Sequence, residues 1–225
     1  MRTMVLPGLD GGTRMLSRFR DLAPSTHDVS LLELPVDLWS YESLVDHFAE
    51  RVCEERPCCL VAESFSGPLA VMLAAANPQS VAFLVLVASF VASPVPVFAR
   101  CLPWSILFRI PFAATAARRY LLGPACDAKL AGEFSQSIRS VSSRILANRL
   151  REIIQVNVRE LLRQLQCPII YLRPTNDAIV PAHCIDAIRQ LRPDIAFHTI
   201  EGPHLILETK PAEAWERITD FPVSD

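Results

Sequence analysis

The sequence predicts an α/β fold, a mostly parallel sheet of about six strands flanked by helices, with a helical stretch inserted between two strands. Three observations predict it. Short apolar or β-branched runs recur along the chain, several separated by longer segments of helical periodicity. The runs are continuously apolar rather than alternating, as strands covered on both faces are. One long segment, residues 93–166, breaks the rhythm with helical pattern and no convincing strand.

The strand candidates are Thr3–Leu6, Val29–Leu34, Cys58–Ala62, Ala82–Ala88, Pro168–Leu172 and Ile195–Ile200. The first helix candidate is Tyr41–Cys53, whose Leu44, Val45, Phe48, Ala49 and Val52 share a face. The second, Pro68–Ala76, is rich in Ala, Leu and Met and stops at Asn77-Pro78, a pair that ends helices. In the inserted stretch, Leu150, Ile154, Val158, Leu161 and Leu165 step by four, four, three and four, which predicts one long helix. The domain division follows: residues 1–92 and 167–225 as core, 93–166 as a helical cap.

Composition narrows the class. With 225 residues, 51% of them hydrophobic and 20% charged, the chain can bury a full core and is not disordered overall. A net charge of −2 argues against a general nucleic-acid binder. No charged-then-apolar leader pattern precedes the first strand. The most apolar run, Val81 to Phe98, holds Ser89, Ser93, Pro94 and Pro96, so it reads as a buried strand and loop rather than a membrane span. Seven cysteines without a CxxC pair read as free thiols in a reducing cytoplasm. Cys58 and Cys59 should point to opposite sheet faces. No metal-ligand spacing stands out and no cofactor is implied. The cap is the basic part: ten Arg and Lys129 oppose four acids, a net +7, so the rest of the chain carries −9. That charge is either an ordinary solvated surface or a landing site for an acidic partner such as a carrier protein, with Arg144, Arg149 and Arg159 expected exposed on the long cap helix.

The chemistry concentrates in loops that follow strands. In Leu60-Val61-Ala62-Glu63-Ser64-Phe65-Ser66-Gly67-Pro68 an apolar strand enters, a serine sits at the turn, and an Ala-rich helix leaves. Ala62 and Ser66 are small, as a tight strand-to-helix turn requires, although the usual G-x-S-x-G glycines are replaced. A serine nucleophile needs a base, and the base an orienting acid. Asp177 follows the strand Pro168–Leu172, and His204 follows Ile195–Ile200, giving the chain order Ser, Asp, His. At the start, Pro7-Gly8-Leu9-Asp10-Gly11-Gly12 opens from the first strand. Its backbone offers an oxyanion donor at Leu9, to join that of Phe65 after the nucleophile.

These four places (PGLDGG, AESFSG, TNDAIVP and GPHLILE) resemble the α/β-hydrolase fold proteins along almost the whole chain. The resemblance implies Ser64 as nucleophile, Asp177 as acid, His204 as base, Leu9 and Phe65 as oxyanion donors, and a cap over the site. It also implies a minimal version, beginning at what is the third strand in many relatives. The expected activity is serine-dependent cleavage of a small-molecule carboxylic ester or thioester. An acyltransferase or an esterase of carrier-protein-linked acyl groups is the neighbouring reading, and a non-catalytic ligand-binding scaffold the rival class. Asp10, Glu63, Trp104 and Phe108 are weaker candidates for substrate contact. His27, His47, His183 and His198 have no such context.

Overall fold

The computed structural model describes residues 1–54, 56–95, 118–124 and 126–220. Its centre is a six-stranded sheet in the order β2-β1-β3-β4-β5-β6 with every neighbouring pair parallel. The strands are β1 (Arg2–Leu6), β2 (Asp28–Leu31), β3 (Cys58–Glu63), β4 (Val81–Val87), β5 (Ile169–Pro174) and β6 (Ala196–Ile200). All six expected strands are present, with ends shifted by up to three residues. The order reverses at β1: the chain steps out to β2, then returns past β1 to β3. In open parallel sheets the carboxyl ends beside such a reversal are where ligands bind. Pairing of Leu6 with Ala62 brings the loop after β1 next to the turn after β3.

Alternation along each strand builds two cores. Cys58, Leu60 and Ala62 face one side with Leu84 and Leu86; Cys59 and Val61 face the other with Phe83, Val85 and Val87. The adjacent cysteines therefore do divide between the faces, and the six cysteines among the described residues are free thiols. The first core is covered by α2 (Tyr41–Glu54), α3 (Ser66–Ala76) and α7 (Ala182–Leu191). In α2 the residues Tyr41, Leu44, Phe48 and Val52 are buried, at the spacing of one helical face. The second core is covered by α1 (Ser17–Asp21), α8 (Ile206–Thr209) and α9 (Pro211–Thr219), where Trp215 stacks on Phe19 at 4.5 Å and donates its indole N–H to the Phe19 carbonyl at 2.7 Å.

Between β4 and β5 lie α4 (Ala128–Ser140), α5 (Ser143–Gln155) and α6 (Arg159–Gln164). Asp127 and Ser142 cap α4 and α5 by accepting from the N–H groups of Leu130 and Ile145. The single long helix expected over Leu150–Leu165 is two helices. The chain leaves α5 at Val156, an extended residue, and Asn157 forms an antiparallel bridge with Ala92. The Val158 N–H reaches the Val91 carbonyl at 2.7 Å, and the Ser93 N–H reaches that of Val156 at 3.2 Å. Val-Asn-Val is a poor helix former, and these backbone bonds outcompete it. Val158, Leu162 and Leu165 then pack into the first core. Among the described residues no helix is long and apolar enough to cross a membrane.

Candidate active site

Ser64 follows β3 with a φ of 50°, a left-handed conformation uncommon for a side-chain-bearing residue. The tight turn is held from several directions. The Ser64 carbonyl accepts from the Ser89 hydroxyl at 2.6 Å and from the Gly67 N–H at 3.1 Å. Gly67 is required by that approach, because a Cβ there would lie 1.8 Å from the Ser89 oxygen. Ser89 is itself fixed by Tyr171: its N–H donates to the phenol oxygen at 2.9 Å, and the phenol donates to its carbonyl at 2.7 Å. The Tyr41 hydroxyl donates to the Phe65 carbonyl at 2.9 Å. Burial pushes both phenols up, so both remain neutral donors.

The three distant candidates meet. His204, from the loop between β6 and α8, places Nε2 2.9 Å from the Ser64 hydroxyl and Nδ1 2.9 Å from Asp177 Oδ1. His204 is 1% exposed, so this contact is shielded from water. Asp177, beyond β5, also accepts at Oδ1 from the N–H groups of Ile179 (2.8 Å) and Val180 (3.0 Å). Burial pushes the Asp177 carboxyl up, but the hydrogen bond and charge of His204 and those two N–H groups outweigh it and hold the acid below its ordinary value. An ionised Asp177 on Nδ1 selects the His204 tautomer whose Nε2 can accept the serine proton.

Two backbone N–H groups complete the arrangement, and each is oriented by the carbonyl across its peptide plane. The Ser64 carbonyl is tied to Ser89 and Gly67, so the Phe65 N–H of the same planar trans unit points the opposite way. The Gly8 carbonyl accepts from the Gly11 N–H at 3.0 Å, which aims the Leu9 N–H away from the turn in the same manner. Gly11 has a φ of 77°, the conformation this turn needs. Ser66, at a usual glycine position, donates its hydroxyl to the Pro7 carbonyl at 2.5 Å and so joins the two loops.

The weaker candidates fall out differently. Asp10 accepts from the Gly12 N–H at 3.4 Å and from the Ser137 hydroxyl, so it braces its own loop. Glu63 is fully buried rather than open to substrate, and it faces Glu208 of α8. Burial, and then the proximity of the other acid, push Glu63 well up; burial pushes Glu208 to about 7. Both Glu63 oxygens and Glu208 Oε2 lack an ordinary donor, which fits two acids sharing a proton. Trp104 and Phe108 lie outside the described residues. His47 and His183 are on the surface, His198 is in β6, and His27 bonds the Thr3 hydroxyl.

Ser89, Tyr171, Tyr41, Glu208 and Arg149 were not singled out as site residues from sequence. Arg149, expected on the outer surface of the cap, is instead wholly buried. A signal existed: it lies four residues from both Ile145 and Ile153, on the apolar stripe of α5.

No family model and no curated protein sequence matches this chain. Solved structures do. An esterase of Exiguobacterium antarcticum is similar with a TM-score of 0.85 at 10% identity, covering 98% of this chain and 91% of that one. The chain has the α/β-hydrolase fold. A hydrolase of Oleispira antarctica gives 0.83 at 12% identity over 98% and 90% of the two chains. A proline iminopeptidase of Mycobacterium smegmatis gives 0.73 at 17% over 98% and 88%. Names as different as esterase and iminopeptidase on one architecture mean that the reaction must be argued from the site.

Proposed function

We propose that this α/β-hydrolase-fold protein is a serine hydrolase that cleaves a carboxylic ester or thioester through an acyl-enzyme. The observation that carries the reading is the unbroken relay from Ser64 through His204 to Asp177, both links 2.9 Å, at the carboxyl edge of the sheet. Ser64 Oγ attacks the acyl carbonyl while His204 Nε2 takes its proton. Asp177 stabilises the imidazolium and does not itself take the proton. The carbonyl oxygen becomes an oxyanion held by the N–H groups of Leu9 and Phe65. His204 returns its proton to the leaving alcohol or thiol, then activates a water that releases the acid and frees Ser64.

Residues 93–166 are the cap in this reading, with acyl-chain contacts assigned to apolar residues of that segment. Its basic charge suits an anionic or carrier-protein-linked acyl substrate. Free buried thiols suit a reducing cytoplasm.

A fluorophosphonate probe tests the class, because it labels an activated serine. Labelling of the native chain, its loss in Ser64→Ala, and turnover of p-nitrophenyl esters or acyl-CoA thioesters are the expected results. A chain-length series of both substrates then defines the acyl group. A Ser64→Ala protein with native turnover would overturn the proposal.

A further inference from the structure

The loop that carries Leu9 is held largely by the segment between β4 and β5. Arg149 of α5 is 0% exposed, yet none of its hydrogen bonds goes to a carboxylate. Its Nη1 donates to the Leu9 carbonyl at 3.0 Å; Nη2 donates to Pro35 at 2.7 Å and Leu38 at 3.0 Å; Nε donates to Leu38 at 3.2 Å. A fixed planar fork is suited to gathering several carbonyls at once. Burial lowers the guanidinium to about 10, eased by the nearby Asp10, so it stays cationic at neutral pH.

The turn is shaped around this side chain. A Cβ on Gly11 would lie 2.6 Å from Arg149 Nη1, and one on Gly12 would lie 2.6 Å from the Ser137 hydroxyl of α4. Ser137 donates to Asp10 Oδ2. Thus two successive helices reach the same loop, one at the Leu9 carbonyl and one at the Asp10 carboxylate. The Gly8–Leu9 peptide sets the direction of the Leu9 N–H, and Arg149 pins the very next peptide through the Leu9 oxygen.

We propose that Arg149, assisted by Ser137, is a positioning residue for the oxyanion hole: by clamping the loop at Leu9 and Asp10 it makes correct aim of the Leu9 N–H depend on the packing of α4 and α5. This rests on the serine hydrolase reading above. Arg149 touches no reacting atom; it acts through Leu9. The clamp has little to contribute while the substrate carbonyl is neutral, and most when charge develops on its oxygen.

The test uses the full-length chain with Arg149→Lys, which keeps a cation but cannot span three carbonyls, and with Ser137→Ala. Deleting an oxyanion donor outright costs about 10²–10³ in kcat, and loosening one should cost less, about tenfold for Arg149→Lys and a few-fold for Ser137→Ala. KM should stay within about twofold, as expected for an interaction made in the transition state. Affinity for a trifluoromethyl ketone, whose serine adduct carries an oxyanion, should fall by the same factor as kcat. A merely structural role would lower the amount of folded protein without moving this ratio. Unchanged kcat and unchanged inhibitor affinity in the folded variants would overturn the inference, as would a raised KM at native kcat. If Arg149→Lys does not fold, Ser137→Ala alone decides. Failure of the underlying reading looks different: the native chain itself would resist fluorophosphonate, and the inference would fall with it.

Discussion

Replacing both members of the buried acid pair, Glu63→Gln with Glu208→Gln, should make the protein more stable, and by more the higher the pH. The pair sits directly behind the site: Glu63 precedes Ser64, and Glu208 lies four residues past His204. Burial raises the Glu208 carboxyl from 4.5 to about 7 and pushes the Glu63 carboxyl well up too. A raised acid keeps its proton in the folded chain at a pH where the unfolded chain has released it. Unfolding therefore releases a proton, and stability falls as pH rises. For a group moved from 4.5 to about 7, the loss begins near pH 4.5 and is nearly complete just above 7. Linkage puts its size at roughly 1 kcal/mol at pH 5 and roughly 3 kcal/mol at pH 8.

The paired glutamines can hydrogen-bond to each other and do not titrate, so that loss disappears. Counting Glu208 alone, the gain of the double variant over the native chain should grow by at least about 2 kcal/mol between pH 5 and pH 8, or at least about 4–8 °C in Tm for a chain of this size. Urea unfolding and thermal melts at pH 5, 6, 7 and 8 measure it. Parallel curves of stability against pH for the two proteins would refute the shared-proton argument.

Other perturbations test the surroundings of Ser64. Asp177→Asn should lower kcat by up to about 10⁴-fold through the wrong His204 tautomer, and near-native turnover in steady-state assays would remove Asp177 from the relay. Gly67→Ala forces its methyl onto the Ser89 hydroxyl and should cost about 1–3 kcal/mol of stability by denaturant titration, with kcat reduced as Ser89 releases the Ser64 carbonyl. Tyr171→Phe leaves the buried N–H and carbonyl of Ser89 without their partner, at roughly 1–3 kcal/mol for each group; no change in the unfolding midpoint would mean that the loop finds other partners. Salt should lower kcat/KM for an anionic acyl substrate and hardly affect a neutral short ester, and reversing the charge of the exposed Arg144 and Arg159 should flatten that response.

The fold was legible because parallel strands buried on both faces must be apolar runs, as Leu60-Val61-Ala62 and Phe83-Leu84-Val85-Leu86-Val87 are. Ser64, Asp177 and His204 were legible because each follows a strand, and parallel strands deliver all their carboxyl ends to one edge. What stayed hidden depends on partners far apart in sequence. Tyr171 reads as one more strand residue until it meets Ser89, 82 positions away. Arg149 reads as a surface charge, because helical periodicity ranks side chains by polarity and cannot show three carbonyls waiting at Leu9, Pro35 and Leu38. Glu63 was the fairer warning, a carboxylate ending a strand that is otherwise wholly apolar.

The two N–H groups proposed as oxyanion donors, those of Phe65 and Leu9, are consequently supported in unequal ways. Phe65 is oriented from within the sheet core, by Ser89 just past β4 and Tyr171 inside the neighbouring strand β5. These cannot move without disturbing the register of Val87 with Leu172. Leu9 is oriented by a glycine-rich turn and by side chains from α4 and α5, which lie in the segment between β4 and β5. Close-packed sheet interiors resist small shifts, whereas helices joined by short extended segments repack at lower cost. A change in how α4 and α5 sit should therefore act on Leu9 long before it acts on Phe65 or on the Ser64–His204 contact. Under the proposed serine hydrolase chemistry, such changes should alter the stabilisation of the tetrahedral intermediate while Ser64 remains reactive.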